Sequence, residues 1–270
     1  MGECVSPREL APRGLEKHIV RALRAWADRR DPSACYHELS KLSPSYYGWP
    51  VRVRREPSYY KRYPQAPRVR LPLPPRLSGV DLFEALLLRE SRREYSGEPL
   101  GLGELAAVLY YSVGVTGRKW WGGPRRPYPS AGALQPVEAY VIAGRVEGLE
   151  SGVYHYNPGL HELELIARGD RRRDLYRASL EQDHVLSAPA TIVLTAVYSR
   201  TAEKYDTRAY RYILLDTGFA GQNIYLTCEA LGLATVAVGA FHDEEICSII
   251  GIDCGWEYPL LLFPVGKRQG

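Results

Sequence analysis

The chain has 270 residues, of which 45% are hydrophobic and 24% charged, which predicts a globular protein with a substantial buried core. No apolar run reaches the roughly 20 residues that span a bilayer, and no signal-peptide pattern opens the chain, so we expect no membrane segment and a cytoplasmic location. The formal net charge of +4 is too small to indicate a nucleic acid partner.

The first 77 residues divide into a helix and an extended arm. Apolar residues near helical spacing predict a helix over residues 15–29. From Pro44 to Pro75, prolines recur between tyrosines and arginines. Because proline lacks an amide donor and resists helix, this stretch is predicted to wrap a surface. Its arginines could contact an acidic ligand, but packing through the tyrosines is favoured. We assign residues 1–77 to this helix and arm, and 78–270 to a compact domain.

The compact domain is predicted to contain both helices and strands. Predicted helices cover residues 81–89, 102–112, 171–180, 207–231 and 243–250. Predicted strands cover residues 137–143, 152–158, 161–166, 191–197, 234–241 and 258–265. Because these elements interleave without strict alternation, we expect an α+β sandwich in which helices flank a mixed, mainly antiparallel sheet.

One segment resembles a dinucleotide-binding loop but lacks its context. Residues 101–106 fit the pattern G-x-G-x-x-A. That motif requires an apolar strand immediately before it, whereas residues 94–100 have the composition of a loop. We therefore interpret these glycines as the start of a helix.

The cysteines and histidines do not indicate a metal site. The five cysteines are odd in number and widely spaced, and the histidines show no ligand spacing. We expect no metal and reduced thiols. A disulfide is the alternative if the source is a hyperthermophile, in which intracellular disulfides do occur.

Two segments carry cations suited to an anionic ligand. Arg89, Ser91 and Arg93 follow an apolar helical run. In an extended segment their side chains would point the same way, so that two guanidiniums and a hydroxyl would converge. Lys267 and Arg268 end the last predicted strand and could hold a phosphate. A solvated basic turn and an ordinary basic tail are the respective alternatives.

Two stretches of small residues allow a close approach of the backbone to a flat ring. Pro129-Ser130-Ala131-Gly132 forms a tight turn before a predicted strand, although an ordinary turn would have the same composition. Gly239 and Ala240 lie at a predicted strand end and could offer a backbone N–H to a ring nitrogen. Trp120 and Trp121, on a loop before the turn, could stack on a substrate or cover the core.

Taken together, these motifs resemble the nitroreductase superfamily of FMN enzymes, in particular the SagB/ThcOx-type dehydrogenases. The resemblance runs from about residue 78 to the C-terminus and keeps the order and spacing of the segments. It rests on R-x-S-x-R at 89–93, PSAGALQPVEAY at 129–140, GVYHYNP at 152–158, KYDTRAYRYILLDTGFAGQNIYL at 204–226, ALGLATVAVGAF at 230–241 and PVGKR at 264–268.

The resemblance implies a homodimer that holds FMN at two sites on the subunit interface. The R-x-S-x-R side chains would hold phosphate and ring polar atoms, with Lys267 and Arg268 near the phosphate. Backbone of residues 130–132 from the partner subunit would face the ring, and Gly239 and Ala240 would lie near flavin N5. The helix at 207–231 would form much of the interface. Many relatives have Asn or Ser where this chain has Ala133, which removes one expected contact.

The adjacent pair Lys204 and Tyr205 is the candidate for acid–base chemistry. In azoline-oxidising relatives, a Lys-Tyr pair at this place assists proton removal as hydride leaves for the flavin. The alternative is that both residues cap the long helix or face solvent.

The resemblance therefore implies an FMN-dependent oxidoreductase that transfers a hydride between flavin N5 and a small organic or peptide-derived substrate. A reductase of nitroaromatics or quinones, with NAD(P)H as electron donor, is one alternative. A non-catalytic flavin-binding protein is the alternative of another class. A nucleic acid binder that uses the arm is the least favoured.

Overall fold

The computed structural model describes residues 15–29, 31–42, 51, 58–74, 81–120 and 122–269. Cys4, Trp121 and most of the arm between Pro44 and Pro57 lie outside these residues. The helices are α1 (Leu15–Arg29), α2 (Pro32–Leu39), α3 (Leu82–Leu88), α4 (Leu102–Val113), α5 (Arg172–Ala178), α6 (Asp183–Ser187), α7 (Tyr198–Tyr205), α8 (Ala209–Ala230) and α9 (Asp243–Ile250), with 3-10 turns at Ala131–Ala133 and Asp206–Arg208. The strands are β1 (Arg68–Arg70), β2 (Gly117–Arg118), β3 (Pro124–Arg125), β4 (Val137–Ala143), β5 (Gly152–Asn157), β6 (Glu162–Arg168), β7 (Ala190–Val197), β8 (Leu233–Thr235) and β9 (Glu257–Lys267).

A seven-stranded sheet forms the centre of the described chain, in the order β1-β6-β5-β4-β7-β9-β8. Every ladder between these strands is antiparallel. The two central strands, β4 and β7, are buried along their whole length. Successive side chains of a strand point to opposite faces of the sheet, so a strand that is covered on both faces needs apolar residues at nearly every position. The sequences VEAYVIA and ATIVLTAV largely supply them.

Helices cover both faces of this sheet, so the core has two layers. On β4, Ala139 and Val141 point to a layer that includes residues of α4 and α8, whereas Tyr140 and Ile142 point to a layer that includes residues of α5 and α9. This alternation follows from the two-residue period of a strand. The predicted α+β sandwich with a mainly antiparallel sheet is confirmed.

One predicted strand is too long. Residues 234–241 were expected to form a single strand, but β8 ends at Thr235. The backbone N–H of Ala237 donates to the hydroxyl of Tyr225, at 2.8 Å, instead of continuing the ladder. Val238 then returns to the sheet only through an isolated bridge to Leu262. Gly239 and Ala240 therefore lie in an exposed loop rather than at a strand end.

The arm packs on the same sheet as the rest of the chain. Its strand β1 pairs with β6, and the amide of Lys61 donates to Glu138 at 2.6 Å. The amide of Tyr63 donates to Glu164 at 3.1 Å. The division of the chain at 77/78 stays a prediction, but the described part of the arm contributes to the sheet.

The expectation of reduced thiols is wrong for one pair of cysteines. Cys247 and Cys254 form a disulfide, with Cα atoms 5.8 Å apart. Gly251 ends α9 in the left-handed region (φ +71) and turns the chain back, which brings the two residues together. Cys35 and Cys228 are free. Among the described helices, none is long and apolar enough to cross a membrane.

Candidate functional site

The R-x-S-x-R segment leaves α3 and runs beside the C-terminal end of β9. Arg89 caps α3, and the following backbone is tied to the sheet where Arg92 N–H donates to Thr235 and Ser96 N–H donates to Lys267. We call the resulting cavity of about 410 Å³ the cationic cleft. It is lined by Glu90, Ser91, Arg92, Arg93, Glu94, Arg268 and Gln269.

Arg93 is the cation of this cleft that is available to an anion. Arg92 pairs with Glu90 at 2.8 Å, and Arg268 pairs with Glu229 at 2.6 Å. Arg93 forms no ion pair within the part of the chain that the structure describes. Burial and then the nearby positive charge of Arg93 lower the pKa of His184.

Tyr225 of α8 joins two of the segments singled out in the sequence, R-x-S-x-R and the stretch at 230–241. Its hydroxyl lies 2.8 Å from Ser91 Oγ and accepts the N–H of Ala237 at 2.8 Å. The guanidinium of Arg89 lies over its ring, 5.2 Å from the centroid. Arg89 therefore stands beside the cationic cleft rather than in its lining. Sequence reasoning missed Tyr225 because a tyrosine within a long helix has no local signal for distant partners.

Lys267 points elsewhere than predicted. Its Nζ lies 3.4 Å from Glu98, and the hydrogen bond to that carboxylate raises the pKa of Lys267. Lys267 does not line the cationic cleft, whereas its neighbour Arg268 does. The strand end therefore contributes one cation to the cleft, and that cation also pairs with Glu229.

The small-residue turn is held in an unusual backbone conformation. Gly132, Ala133 and Gln135 all have positive φ, between 56° and 59°. The carboxylate of Asp216, buried on α8, accepts the N–H of Ala131 at 3.2 Å, and Ser130 Oγ accepts the N–H of Gln135 at 2.9 Å. Strained backbone persists where its surroundings over-determine it, and it is concentrated at functional sites. Asp216 was not singled out from the sequence, because its partner lies 85 residues away.

Lys204 and Tyr205 lie against this turn, and we call the two residues with Ser130–Gly132 the Lys–Tyr cluster. A Cβ placed on Gly132 would lie 2.7 Å from the Tyr205 hydroxyl and 3.2 Å from Lys204 Nζ. The ammonium lies over the Tyr205 ring, 5.3 Å from its centroid. The pair ends α7, a helix that the sequence did not predict, and does not cap the long helix α8. Pro129 is exposed at the start of the turn.

Buried ionisable side chains connect α7, which carries the pair, to the sheet. Arg200 of α7 forms an ion pair with Glu138 of β4 at 2.6 Å, and its Nη1 donates to the carbonyl of Gln135 at 3.1 Å. His155 lies between Glu138 and Glu164, at 3.1 and 2.9 Å. Burial would raise the pKa of Glu138, but Arg200 and His155 outweigh it and hold that pKa at about 2. The network thus fixes both α7 and the turn.

The cationic cleft and the Lys–Tyr cluster touch α8 at different positions. Asp216 holds the turn, and Tyr225 contacts the R-x-S-x-R segment. At 1.5 Å per residue these two side chains start about 13 Å apart along the helix axis. The predicted cofactor residues of one chain therefore form two groups.

Comparison with known proteins identifies the family. The Nitroreductase family matches residues 86–267. The chain belongs to the nitroreductase family. It is 40% identical to MJ1384 of Methanocaldococcus jannaschii, named as a nitroreductase, over 72% of this chain and 94% of the relative. It is 31% identical to the microcin B17-processing protein McbC of Escherichia coli, over 52% of this chain and 54% of McbC.

Solved nitroreductases share the fold. One from Ralstonia eutropha has a TM-score of 0.65 and 29% identity, and the match covers 75% of this chain and 90% of the other. Another, from Desulfovibrio desulfuricans and solved in complex with FMN, has a TM-score of 0.50 and 16% identity, over 72% of this chain and 89% of the other. The predicted resemblance is thus confirmed for the family and its fold.

Proposed function

We propose that this nitroreductase-family protein is an FMN-dependent dehydrogenase of the SagB/ThcOx type, acting on a small organic or peptide-derived substrate. The observation that carries this proposal is the contact of Lys204 and Tyr205 with the strained turn at Gly132. A cationic and a hydroxyl-bearing side chain beside open backbone suit a reaction in which a proton must leave next to a flat ring.

The residues present fit FMN. The cationic cleft offers the hydroxyl of Ser91 and the guanidinium of Arg93, and the oxygens of a phosphate monoester accept hydrogen bonds from both kinds of group. Gly239 and Ala240 are exposed in a loop held by Tyr225, so their backbone is open to a ligand. Arg89 and Arg268 would add positive charge beside the phosphate, and Lys267 would act only at longer range. The solved relative that holds FMN supports this assignment at the level of the fold.

Lys204 and Tyr205 would handle the proton of the donor. FMN, when bound, accepts a hydride at N5. Oxidation of a C–H bond next to an N–H group sends the hydride to the flavin and releases the proton of the N–H, which Lys204 or Tyr205 would accept in its deprotonated form. Arg200 and Asp216 would only position other residues, because both are buried and contact the turn rather than a substrate.

We propose that the active unit is a homodimer. Apolar side chains of α3 and α8 are exposed, including Phe83 at 72% and Leu87 at 85%, with Phe219 at 46%. Exposed apolar surface of this kind is typical of subunit interfaces. A two-fold partner would also bring a second Lys–Tyr cluster to each cationic cleft, as the family resemblance implies.

The relatives suggest two substrate classes. McbC is named for the processing of microcin B17, which favours a peptide-derived substrate. MJ1384 is named as a nitroreductase, which favours the second candidate, a reductase of nitroaromatics or quinones that uses NADH or NADPH. The Lys–Tyr cluster favours the first, because proton removal from a carbon donor needs a base, whereas NAD(P)H oxidation does not.

A visible absorption spectrum followed by anaerobic titration tests the proposal. The purified protein is expected to carry FMN, and an azoline-containing peptide is expected to bleach it. Lys204→Ala should retain FMN, but the peptide should reduce its flavin about 100-fold more slowly. Lys17→Ala, at an exposed lysine, should be reduced at the wild-type rate. Absence of bound flavin after growth with excess riboflavin would refute the proposal. Bleaching by NADH or NADPH alone would assign the second function.

A further inference from the structure

A cavity of about 450 Å³ lies outside the two groups described above. Four tyrosines wall it, contributed by α2, α7, α8 and β9, and two acidic residues of α9 stand at its edge. These residues are Tyr36, Tyr198, Tyr210, Tyr258, Asp243 and Glu244, and we call the space the tyrosine cavity. No lysine, arginine or histidine is among the described residues that line it.

The tyrosine rings form a connected set. Tyr210 packs edge-on against Tyr36, with centroids 5.7 Å apart, and lies 6.0 Å from Tyr258. Tyr198 and Tyr258 lie 5.6 Å apart. The wall supplied by α2 is fixed in place, because Arg208 donates to the carbonyl of Ser40 at 2.8 Å. The cavity is therefore built by packed elements rather than by loose side chains.

Its chemistry favours a cation. Burial and neighbouring tyrosines raise the pKa of Tyr198 to about 12, so this phenol presents a neutral ring and a hydroxyl. Tyr198, Tyr210 and Tyr258 hydroxyls donate to no other group within the described chain. Asp243 and Glu244 are exposed and form no ion pair there, so their charges remain available. Ring faces, hydroxyl oxygens and carboxylates are together the acceptors that recognise ammonium groups.

We propose that the tyrosine cavity binds a primary alkylammonium group, of the kind carried by a lysine side chain or a free diamine. The cavity is large enough for a four-carbon stem, which the rings would cover while the acids meet the charge. It is also lined by Tyr198, at the start of the helix α7 that ends with Lys204 and Tyr205, and by Thr207, just after that pair. A lysine-bearing peptide substrate held here would be anchored beside that pair. This use rests on the proposed function, whereas the binding itself does not.

Calorimetric titration of the flavin-loaded protein tests the binding. N-acetyl-lysine amide is expected to bind and N-acetyl-norleucine amide, which lacks only the ammonium, is not. Asp243→Asn combined with Glu244→Gln should weaken lysine amide binding about tenfold. Glu245→Gln, on the same exposed helical turn but outside the lining, should change it less than about twofold. Binding is compared only among variants whose unfolding midpoint equals that of the wild type, so that a loss of binding does not reflect a loss of folding.

Each remaining outcome bears on the proposal. Equal binding of the norleucine amide, equal loss in Glu245→Gln, or displacement of the lysine amide by inorganic phosphate would overturn it. If cadaverine binds at least tenfold more tightly than the lysine amide, the proposal is supported with a free diamine as the ligand. If cadaverine does not reach that affinity, the proposal is supported with a lysine side chain of a peptide as the ligand. If the protein carries no flavin even after growth with excess riboflavin but still binds the lysine amide, the cavity proposal is supported and only the proposed oxidoreductase is refuted.

Discussion

Arg200 of α7 forms an ion pair with Glu138 of β4 at 2.6 Å, and both side chains are buried. The same guanidinium donates to the carbonyl of Gln135, in the turn that contacts Lys204 and Tyr205. One arginine therefore fixes the helix that carries the pair and the turn opposite it. Lysine has a single charged nitrogen and lacks the planar fork, so it cannot keep both contacts in this geometry.

Arg200→Lys is expected to retain FMN but to lower the rate of flavin reduction by the donor about tenfold, because small displacements at a reacting centre are costly. Stopped-flow reduction and donor titration separate this loss in rate from a change in donor affinity, which we expect to stay within about twofold. Arg177→Lys, at an exposed position of α5, is the matched control. Equal losses in the two variants would contradict a positioning role for Arg200.

The buried network predicts a specific dependence of stability on pH. Burial opposes the charge of His155, but Glu138 and Glu164 outweigh it and raise the His155 pKa. Its contribution to stability is therefore fully present below the unfolded pKa of about 6.5 and is lost as pH rises through the folded value. Glu138 has a lowered pKa, so its contribution is present above about 4.5 and is lost as pH falls toward about 2.

The difference in unfolding free energy between wild type and His155→Gln should be largest between about pH 4.5 and 6.5. It should shrink above pH 6.5, by at most about 1.4 kcal/mol per pH unit. Urea unfolding at a series of pH values measures it. His242→Gln, at an exposed histidine, should show no such trend. A difference that stays constant up to pH 9 would mean that the His155 ring is neutral in the folded protein.

Gly132 should not tolerate a side chain. Its φ of +59° is unfavourable for other residues, by about 1–2 kcal/mol, and an added methyl would meet the Tyr205 hydroxyl at 2.7 Å. Gly132→Ala is expected to lower the unfolding free energy by about that amount and to slow donor oxidation. Gly103→Ala, in α4 with nothing within 4 Å of the added carbon, should be neutral or stabilising by up to about 1 kcal/mol. Wild-type turnover in Gly132→Ala would exclude a close role for the turn.

Arg89 and Arg93 should matter for flavin retention and not for folding. Arg93 lines the cationic cleft and would give the phosphate a charge-assisted hydrogen bond of about 1.5–3 kcal/mol, whereas Arg89 stands beside the cleft and would add positive charge there. The double variant Arg89→Ala/Arg93→Ala should weaken FMN binding at least about tenfold, as measured by fluorescence titration of the apoprotein. Arg173→Ala/Arg177→Ala removes the same charge from exposed positions. If both double variants bind FMN like the wild type, the phosphate lies elsewhere.

The sequence predicted those elements whose pattern is strong and local. β4 has the predicted bounds, because its residues form one continuous β-rich run. α9 begins and ends at the predicted residues, because it lies between Asp243 and the turn at Gly251. α7 was missed. Its residues YSRTAEKY are mostly polar, and the helix is held by the tertiary contacts of the buried Arg200.

The candidate site was predicted only as far as its motifs reach. R-x-S-x-R and the small-residue turn have a chemistry that is visible in the sequence. Tyr225 and Asp216, which hold these segments, are ordinary residues within a helix, and their partners lie 134 and 85 residues away. Lys267 was assigned to the phosphate from its position at the end of the last predicted strand and from the family resemblance, but only the structure shows that it lies beside Glu98.

The disulfide between Cys247 and Cys254 gives a last prediction. It closes a loop over a sequence separation of 7, which in the chain-entropy treatment stabilises the fold by about 2 kcal/mol. Reductant should therefore lower the unfolding midpoint of the wild type. Cys247→Ser/Cys254→Ser should start from the lower midpoint and show no further change with reductant. Cys35→Ser, at a free cysteine, should respond to reductant like the wild type. An unfolding midpoint of the wild type that does not change with reductant would mean that the two thiols are not joined in solution, and that the turn at Gly251 is closed by the hydrogen bond from Ile252 N–H to the Cys247 carbonyl without the disulfide.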